Sequence, residues 1–189
     1  MPKAKATAKT KKFAPSKKTI KKKLTKKAAP LRTKKKVSAI PKGYHSVTPY
    51  LIVDGAAKAI EFYKKVFGAK VGLKMEQPGG KKIGHAELKI DDSMIMLADE
   101  CPTAKTRSPK TYGGSAVGFH LYVKDVDKVV KRAIAAGAKL IKPIENMFYG
   151  DRCGHIADPY GHQWYISTHI EDVSTPELKK RAAQLFGKK

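Results

Sequence analysis

The sequence contains few cysteines, no long apolar run and no acidic residue before Asp54. Two cysteines, Cys101 and Cys153, are too few for a disulfide framework, and their spacing does not suit a metal cluster. No stretch approaches the about 20 apolar residues of a membrane-spanning helix, and the N-terminus lacks the apolar segment of a secretory signal. We therefore expect a protein of a reducing compartment such as the cytoplasm, without a membrane partner.

Because acidic residues are absent there, the N-terminus is strongly basic. Residues 1–42 contain 17 Lys and Arg residues, whereas residues 43–189 carry 23 basic and 16 acidic residues, a net charge of about +7. The N-terminal segment has too little apolar material to offset the entropy cost of ordering it. We predict a disordered tail over residues 1–42 and a folded domain over residues 43–189.

Lysine pairs and triples in this segment, separated by Ala, Thr and Pro, resemble the tails of linker histones. Such a tail binds DNA or RNA without sequence preference, because each phosphate contact releases counterions. Nucleoid association, or nuclear association in a eukaryotic cell, is then expected, and the alternative is a solubilising tail with no fixed partner. The candidate phosphate-binding residues are Lys11, Lys12, Lys17, Lys18, Lys21, Lys22, Lys23, Lys26, Lys27, Arg32, Lys34, Lys35 and Lys36.

The folded domain contains two similar segments. A helical run after Val53 ends at Gly68, and a second run after Val123 ends at Gly137, about 70 positions later. The repeat unit is too long for a solenoid module and occurs only twice, so it indicates a duplicated βαβββ unit. We predict an α+β fold in which paired βαβββ repeats form a curved mixed sheet with a central cavity at the seam, where small ligands usually bind.

The repeats are predicted over about residues 46–99 and 115–172, joined by a linker over residues 99–115. Hydrophobic periodicity and helix-end signals predict helices over Ala56–Phe67, Val126–Ala136 and Pro176–Phe186. The last of these has Ser174 or Thr175 as its N-cap. Alternation and turn residues predict strands over Val47–Val53, Val71–Glu76, Ile83–Ile90, Ser93–Ala98, Val117–Val123, Lys139–Ile144, Arg152–Ala157 and Gln163–Ser167.

Three stretches carry a resemblance to a known family: TPYLIVDGAAKAIEFY, HAELKIDDSMIMLADE and YGDRCG followed by DPYGHQW. Together they resemble the vicinal-oxygen-chelate superfamily, which includes glyoxalase I, extradiol dioxygenases and the bleomycin and fosfomycin resistance proteins, and its PhnB-like branch in particular. The resemblance covers about residues 46–172. It implies the paired βαβββ fold, a homodimer and a small-molecule ligand, but it does not name an activity.

The metal enzymes of that superfamily hold a divalent ion through one residue in the first and one in the last strand of each repeat. In this chain the resemblance places Thr48, Met96, Gly118 and Tyr165 at those positions. This set does not match the ligands that Zn²⁺, Ni²⁺ or Fe²⁺ prefer. We therefore expect no metal or other cofactor and no metal-dependent lyase or dioxygenase chemistry by that route.

Strand alternation directs a set of polar and aromatic side chains to the seam, and the apolar set with Trp164 to the opposite face. His85 and Glu87 lie two apart on one strand face and could act as an acid–base pair; the alternative is a half-exposed polar face. A displaced metal site of His85, Glu87 and His120 is a third interpretation. The candidate ligand-binding residues are Thr48, Tyr50, His85, Glu87, Met96, His120, Tyr122, Arg152 and Tyr165.

The remaining polar residues have both structural and functional interpretations. Arg152 could clamp an anion, or could form an ion pair with Asp151 or with a second chain. His155, His162 and His169 lie at turns or at the domain exit and are expected to be structural or solvated. Two function classes remain open: a metal-independent small-molecule binder or enzyme (a lyase, isomerase or transferase of unknown substrate), and a nucleic-acid-associated protein with a vestigial or regulatory pocket.

Overall fold

The structure is a computed structural model that describes residues 37–187. One compact unit begins at Ser38. The tail residues with candidate roles in phosphate binding lie outside the described residues, so their role stays a prediction.

The first half is a βαβββ unit. The elements are β1 (Tyr50–Val53), α1 (Ala56–Phe67), β2 (Lys70–Glu76), β3 (Ile83–Ile90) and β4 (Ser93–Asp99). The sheet has the strand order β1-β4-β3-β2, in which β1 runs parallel to β4 and the other pairs are antiparallel. Helix α1 ends where Gly68 adopts a left-handed conformation with φ of 69°.

The second half repeats this topology after a short helix, α2 (Pro109–Tyr112), in the predicted linker. The elements are β5 (Gly118–Tyr122), α3 (Val126–Ala135), β6 (Lys139–Asn146), β7 (Asp151–Ala157), β8 (Gln163–His169) and α4 (Thr175–Phe186). The sheet has the order β5-β8-β7-β6, again with one parallel pair, β5 and β8. The predicted α+β fold is therefore confirmed. The first strand begins at Tyr50 rather than Val47, and β8 extends to His169 rather than Ser167.

One face of each sheet packs against the helices and forms the core. Leu51, Leu97 and Ile166 are at most 1% exposed, and Trp164 packs on Phe67 with ring centroids 4.6 Å apart. The opposite faces are open, and we call them the first and second open faces. The predicted alternation is confirmed, because Trp164 lies under the helices.

Each half uses the end of its last strand to hold the start of its helix. Asp99 Oδ1 accepts hydrogen bonds from the amides of Gly55 (2.9 Å) and Ala56 (2.8 Å), and its Oδ2 accepts one from Ile83. In the second half Thr168 Oγ1 accepts from the Val126 amide at 2.9 Å. These contacts satisfy amide groups that a helix start otherwise leaves without partners.

The two halves are joined through buried polar contacts. The Tyr63 hydroxyl of α1 donates to Asp158 Oδ2 at 2.7 Å, and Asp158 also accepts from Trp164 Nε1 at 3.0 Å. His162, predicted to be structural or solvated, is structural, because its Nε2 donates to the Ile52 carbonyl at 3.2 Å. Strands β2 and β6 form the outer edges of the sheets and are largely exposed.

Candidate functional site

A hydrogen-bonded series of three side chains lies on the first open face. The Tyr50 hydroxyl is 3.0 Å from His85 Nδ1, and His85 Nε2 is 3.4 Å from Glu87 Oε1. A carboxylate only accepts hydrogen bonds, so His85 donates to Glu87 through Nε2–H. In the tautomer that carries only this proton, His85 Nδ1 accepts a hydrogen bond from the Tyr50 hydroxyl. Partial burial raises the pKa of Tyr50. The predicted acid–base pair is therefore extended by a tyrosine.

The segment before β1 forms a wall beside this series. A cavity of about 450 Å³ is lined by Ile40, Tyr44, Glu87 and Met96, among others. The Tyr44 hydroxyl is buried without a hydrogen bond of ordinary geometry, but its interaction with Glu87 lowers the pKa of that carboxyl. Partial burial opposes this effect, and His85 adds a further lowering. Glu87 is thus held as a carboxylate next to open space.

A second cavity on this face contains a cysteine that sequence reasoning did not single out. It measures about 520 Å³, and its lining includes Cys101, Tyr50 and Ala98. The Thr103 hydroxyl, 3.1 Å from the sulfur, and then the Ala104 amide lower the pKa of the Cys101 thiol. No sequence signal pointed to this, because the donors come from a local turn.

The second open face carries stacked rings. His155 lies 4.2 Å from Tyr165 between ring centroids, and His120 lies 4.8 Å from Tyr122. The Gln163 amide nitrogen donates to the Ser115 carbonyl, so its Oε1 accepts from His155 Nε2–H at 3.0 Å. His155 was expected to be structural or solvated, and it is 6% exposed.

A buried carboxylate at one end of this face joins a tyrosine to a histidine. Asp151, which is 3% exposed, accepts from the Tyr122 hydroxyl at 2.9 Å and from His169 Nδ1 at 2.7 Å. Hydrogen bonds to Asp151 and then to Asp172 raise the pKa of His169. Sequence reasoning missed this group, because the predicted last strand stopped at Ser167 and left His169 in the exit segment.

Eight of the nine predicted ligand-binding residues lie on or beside the open faces, in two groups. Thr48, Tyr50, His85, Glu87 and Met96 belong to the first half, and His120, Tyr122 and Tyr165 belong to the second. Among residues 37–187, no hydrogen bond or ring contact joins the two groups. Whether a ligand contacts them stays a prediction.

Arg152 is placed differently from the expectation. Its guanidinium donates to both carboxylate oxygens of Asp127 in α3, at 2.7 and 2.8 Å, and to Asn146 at 3.0 Å. It therefore lies on the helix side of the second sheet, and the predicted ion pair with Asp151 is wrong. Alternation directs Asp151 and Arg152 to opposite faces of β7.

The four positions implied for a metal hold Thr48, Met96, Gly118 and Tyr165, and whether they bind a metal stays a prediction. Met96 pairs with Tyr50, and Tyr165 pairs with His120. A side chain at Gly118 would meet the Tyr165 ring at 2.6 Å, so this ring fills the space above the glycine. Within the described part of the chain, no three His, Cys, Asp or Glu side chains are placed to share a metal ion. The displaced site of His85, Glu87 and His120 is therefore not formed within one chain.

Two βαβββ halves with open sheet faces define a paired-repeat α+β fold. The family model described as the Glyoxalase/Bleomycin resistance protein/Dioxygenase superfamily matches residues 43–166. The chain belongs to this superfamily, as the resemblance implied. None of the helices between residues 37 and 187 has the length and apolar character needed to cross a membrane.

Known relatives agree with this assignment. The uncharacterized protein Rv0887c of Mycobacterium tuberculosis is 39% identical over 137 residues, which cover 71% of this chain and 80% of that protein. The structure of the Arabidopsis thaliana gene product At5g48480 matches with a TM-score of 0.54 and 26% identity, over 66% of this chain and 98% of that one. The PhnB protein of Bacillus cereus shares the fold, with a TM-score of 0.53 and 17% identity over 66% and 99% of the two chains.

Proposed function

We propose that the protein binds a small organic molecule on its first open face and that Tyr50, His85 and Glu87 exchange a proton with it. The observation that carries this proposal is the hydrogen-bonded series from Tyr50 through His85 to Glu87. It lies between cavities of about 450 and 520 Å³. A pocket with convergent polar groups is the usual form of a small-molecule site.

The series can take up and return a proton. Tyr50 remains protonated at neutral pH, because burial raises its pKa. When a bound molecule gives up a proton, the Tyr50 oxygen can take it while the Tyr50 proton passes to His85 Nδ1, and the Glu87 carboxylate stabilises the resulting imidazolium. The reverse transfer returns the proton to the molecule. Such proton transfer serves lyase and isomerase reactions.

Mapping of bound fragments tests this proposal on the full-length chain. Titration of a fragment library of small organic molecules, followed by ¹H–¹⁵N NMR, should shift the amide signals of Tyr50, His85 and Glu87. His85→Gln should weaken the best fragment, whereas Lys58→Gln, on the exposed side of α1, should not. If fragments shift only residues of the second open face, the proposal is wrong.

We further propose that the site works without a transition metal. The residues at the implied ligand positions, Thr48, Met96, Gly118 and Tyr165, support this, since none is a usual ligand of these ions. Native mass spectrometry of the purified chain measures metal content directly. About one tightly held Ni²⁺ or Zn²⁺ per chain, with lactoylglutathione lyase activity that a chelator removes, would contradict the proposal.

A homodimer is the assembly we propose. Apolar and aromatic side chains remain exposed on the open faces and along β2 and β6, including Tyr122 at 58% and Met75 at 54%. A second copy of the chain could cover this surface and bring the two groups of predicted ligand residues together across the interface. Sedimentation equilibrium measures the oligomeric state, and a monomer at micromolar concentration speaks against it.

The basic N-terminus supports a second proposal, non-specific binding to DNA or RNA. When the tail neutralises several phosphates, the logarithm of the binding constant falls linearly with the logarithm of the salt concentration. On duplex DNA the slope is about −0.9 per phosphate contact. Deleting residues 1–36 is the appropriate test, because Ile40 and Pro41 line a cavity of the folded unit. Gel-shift titrations at two salt concentrations should show strong binding for the full chain and much weaker binding after deletion. Equal binding leaves the tail as a solubilising segment.

A further inference from the structure

Another cavity lies between the two halves, away from Tyr50 and His85. It measures about 590 Å³ and is lined from the first half by Phe67, Ile90 and Asp91. The second half contributes Leu121, Tyr122, Val123, Lys124, Thr168 and His169. We infer that this cavity is a second binding site, for a small organic anion with an apolar or aromatic body.

Apolar side chains supply the surface for the body of such a molecule. Phe67, at the end of α1, and Leu121, in β5, are partly buried and pack against the core, so their positions are held by neighbours. Ile90 is 5% exposed and closes the wall from the first half. An aromatic or aliphatic group placed here is removed from water, which favours binding.

Two cationic groups supply the contact for the charge. No carboxylate in residues 37–187 forms a salt bridge with Lys124, so its ammonium group is free to meet a ligand. His169 is a cation when protonated, and its ring orientation is fixed by the 2.7 Å hydrogen bond from Nδ1 to buried Asp151. The other nitrogen, Nε2, bonds to Asp172, whose side chain is fully exposed. An anion can displace that contact at little cost.

The Tyr122 hydroxyl strengthens this arrangement. Tyr122 donates to Asp151 Oδ2 while His169 donates to Oδ1, so both oxygens of the buried carboxylate are occupied by groups that line the cavity. Asp151 is therefore a positioning residue that sets the direction of two lining side chains.

Among residues 37–187, Asp91 is the one acidic residue that lines this cavity. It lies in the exposed turn between β3 and β4, with φ of 49°. Its charge should oppose the binding of an anion in this cavity. Asp91→Asn removes the charge while keeping a residue type that tolerates this backbone conformation, so the variant tests the sign of the interaction directly.

The test uses the full-length, ¹⁵N-labelled chain, with phenylacetate as the probe and phenylacetamide as a neutral probe of the same shape. Phenylacetate should shift the amide signals of Phe67, Leu121, Lys124 and His169, and should bind at least about five-fold more tightly than phenylacetamide. Lys124→Gln and His169→Gln should each weaken phenylacetate binding by a similar factor. Asp91→Asn should tighten it.

Lys128→Gln is the matched control, because Lys128 is an exposed lysine near Lys124 in the sequence and pairs with Asp125 outside the cavity. Its affinity for phenylacetate should stay within about two-fold of the parent. Equal binding of the two probes, or signals that shift around Tyr50 and His85 instead of Phe67 and His169, would overturn the inference. The proposed function at the first open face is tested by the amide signals of different residues. A negative result at one site therefore leaves the proposal for the other site unchanged.

Discussion

The hydroxyl of Tyr63 offers a sharp test of how the two halves are held together. Tyr63 is fully buried in α1 and donates to Asp158 Oδ2 in the second half at 2.7 Å. Tyr63→Phe keeps the ring, which stacks on Phe67 at 5.9 Å and packs on Trp164 at 5.7 Å. The variant therefore removes one hydrogen bond to a buried carboxylate and little else.

The size of the expected loss in stability depends on the hydrogen bonds that Asp158 retains. After the substitution it still accepts from Trp164 Nε1 and from two amides in its own turn, so the carboxylate is not left without partners. A hydrogen bond to a charged group contributes about 1.5–3 kcal/mol. We expect a loss of about 2 kcal/mol in the free energy of unfolding and a decrease in Tm of about 4–8 °C.

Urea unfolding followed by fluorescence measures this loss, because Trp164 is the single tryptophan and lies beside the substitution. The midpoint should fall while the m-value stays unchanged. Tyr160→Phe is the matched control, since Tyr160 contacts Tyr63 but its hydroxyl makes no hydrogen bond within residues 37–187. If Tyr63→Phe changes stability by less than about 0.5 kcal/mol, or if both variants lose equally, the contact does not join the halves as argued.

Two further predictions concern the strand ends. Asp99→Ala should lower the free energy of unfolding, measured in urea, by about 2 kcal/mol, because it removes the acceptor of the first amides of α1 and of the Ile83 amide. A loss no larger than that caused by a substitution at an exposed site would contradict this. The pKa of His169, followed by NMR, should lie above that of a free histidine and fall in Asp151→Asn. Because the folded-state pKa is raised, the stabilisation from His169 should be present below pH about 6.5 and disappear as pH rises through the folded-state value. Asp151, Asp172, Tyr122 and Lys124 surround this ring, and an unshifted His169 in the parent chain would show that the Asp151 contact is not formed in solution.

The sequence predicted the fold well because its signals are local. Helix α1 and strand β3 have the predicted bounds, since periodicity and end signals lie within each element. The duplication then fixed the topology, as the second half repeats the element order of the first. The open faces also followed from alternation, because every second side chain is buried in β1 (Leu51, Val53) and partly buried in β5 (Phe119, Leu121).

The candidate site was predicted less completely, because it depends on contacts between distant segments. Tyr50 and His85 are 35 residues apart, and only the sheet order shows that they meet. In β7 most side chains are buried on both faces, so the sequence pattern did not show which of the two faces carries Arg152. The Asp151–His169 contact also required the correct end of the last strand.

The outer strands β2 and β6 determine how copies of this chain can associate. Both leave backbone groups unpaired at a sheet edge, which is a common starting point for uncontrolled strand addition. Each strand carries two lysines and an irregular register with its neighbour, and β6 also contains Pro143. Charge repulsion, a broken ladder and a missing amide donor all oppose edge-to-edge growth. The edges β2 and β6 therefore resist strand addition, although several of their apolar side chains are exposed.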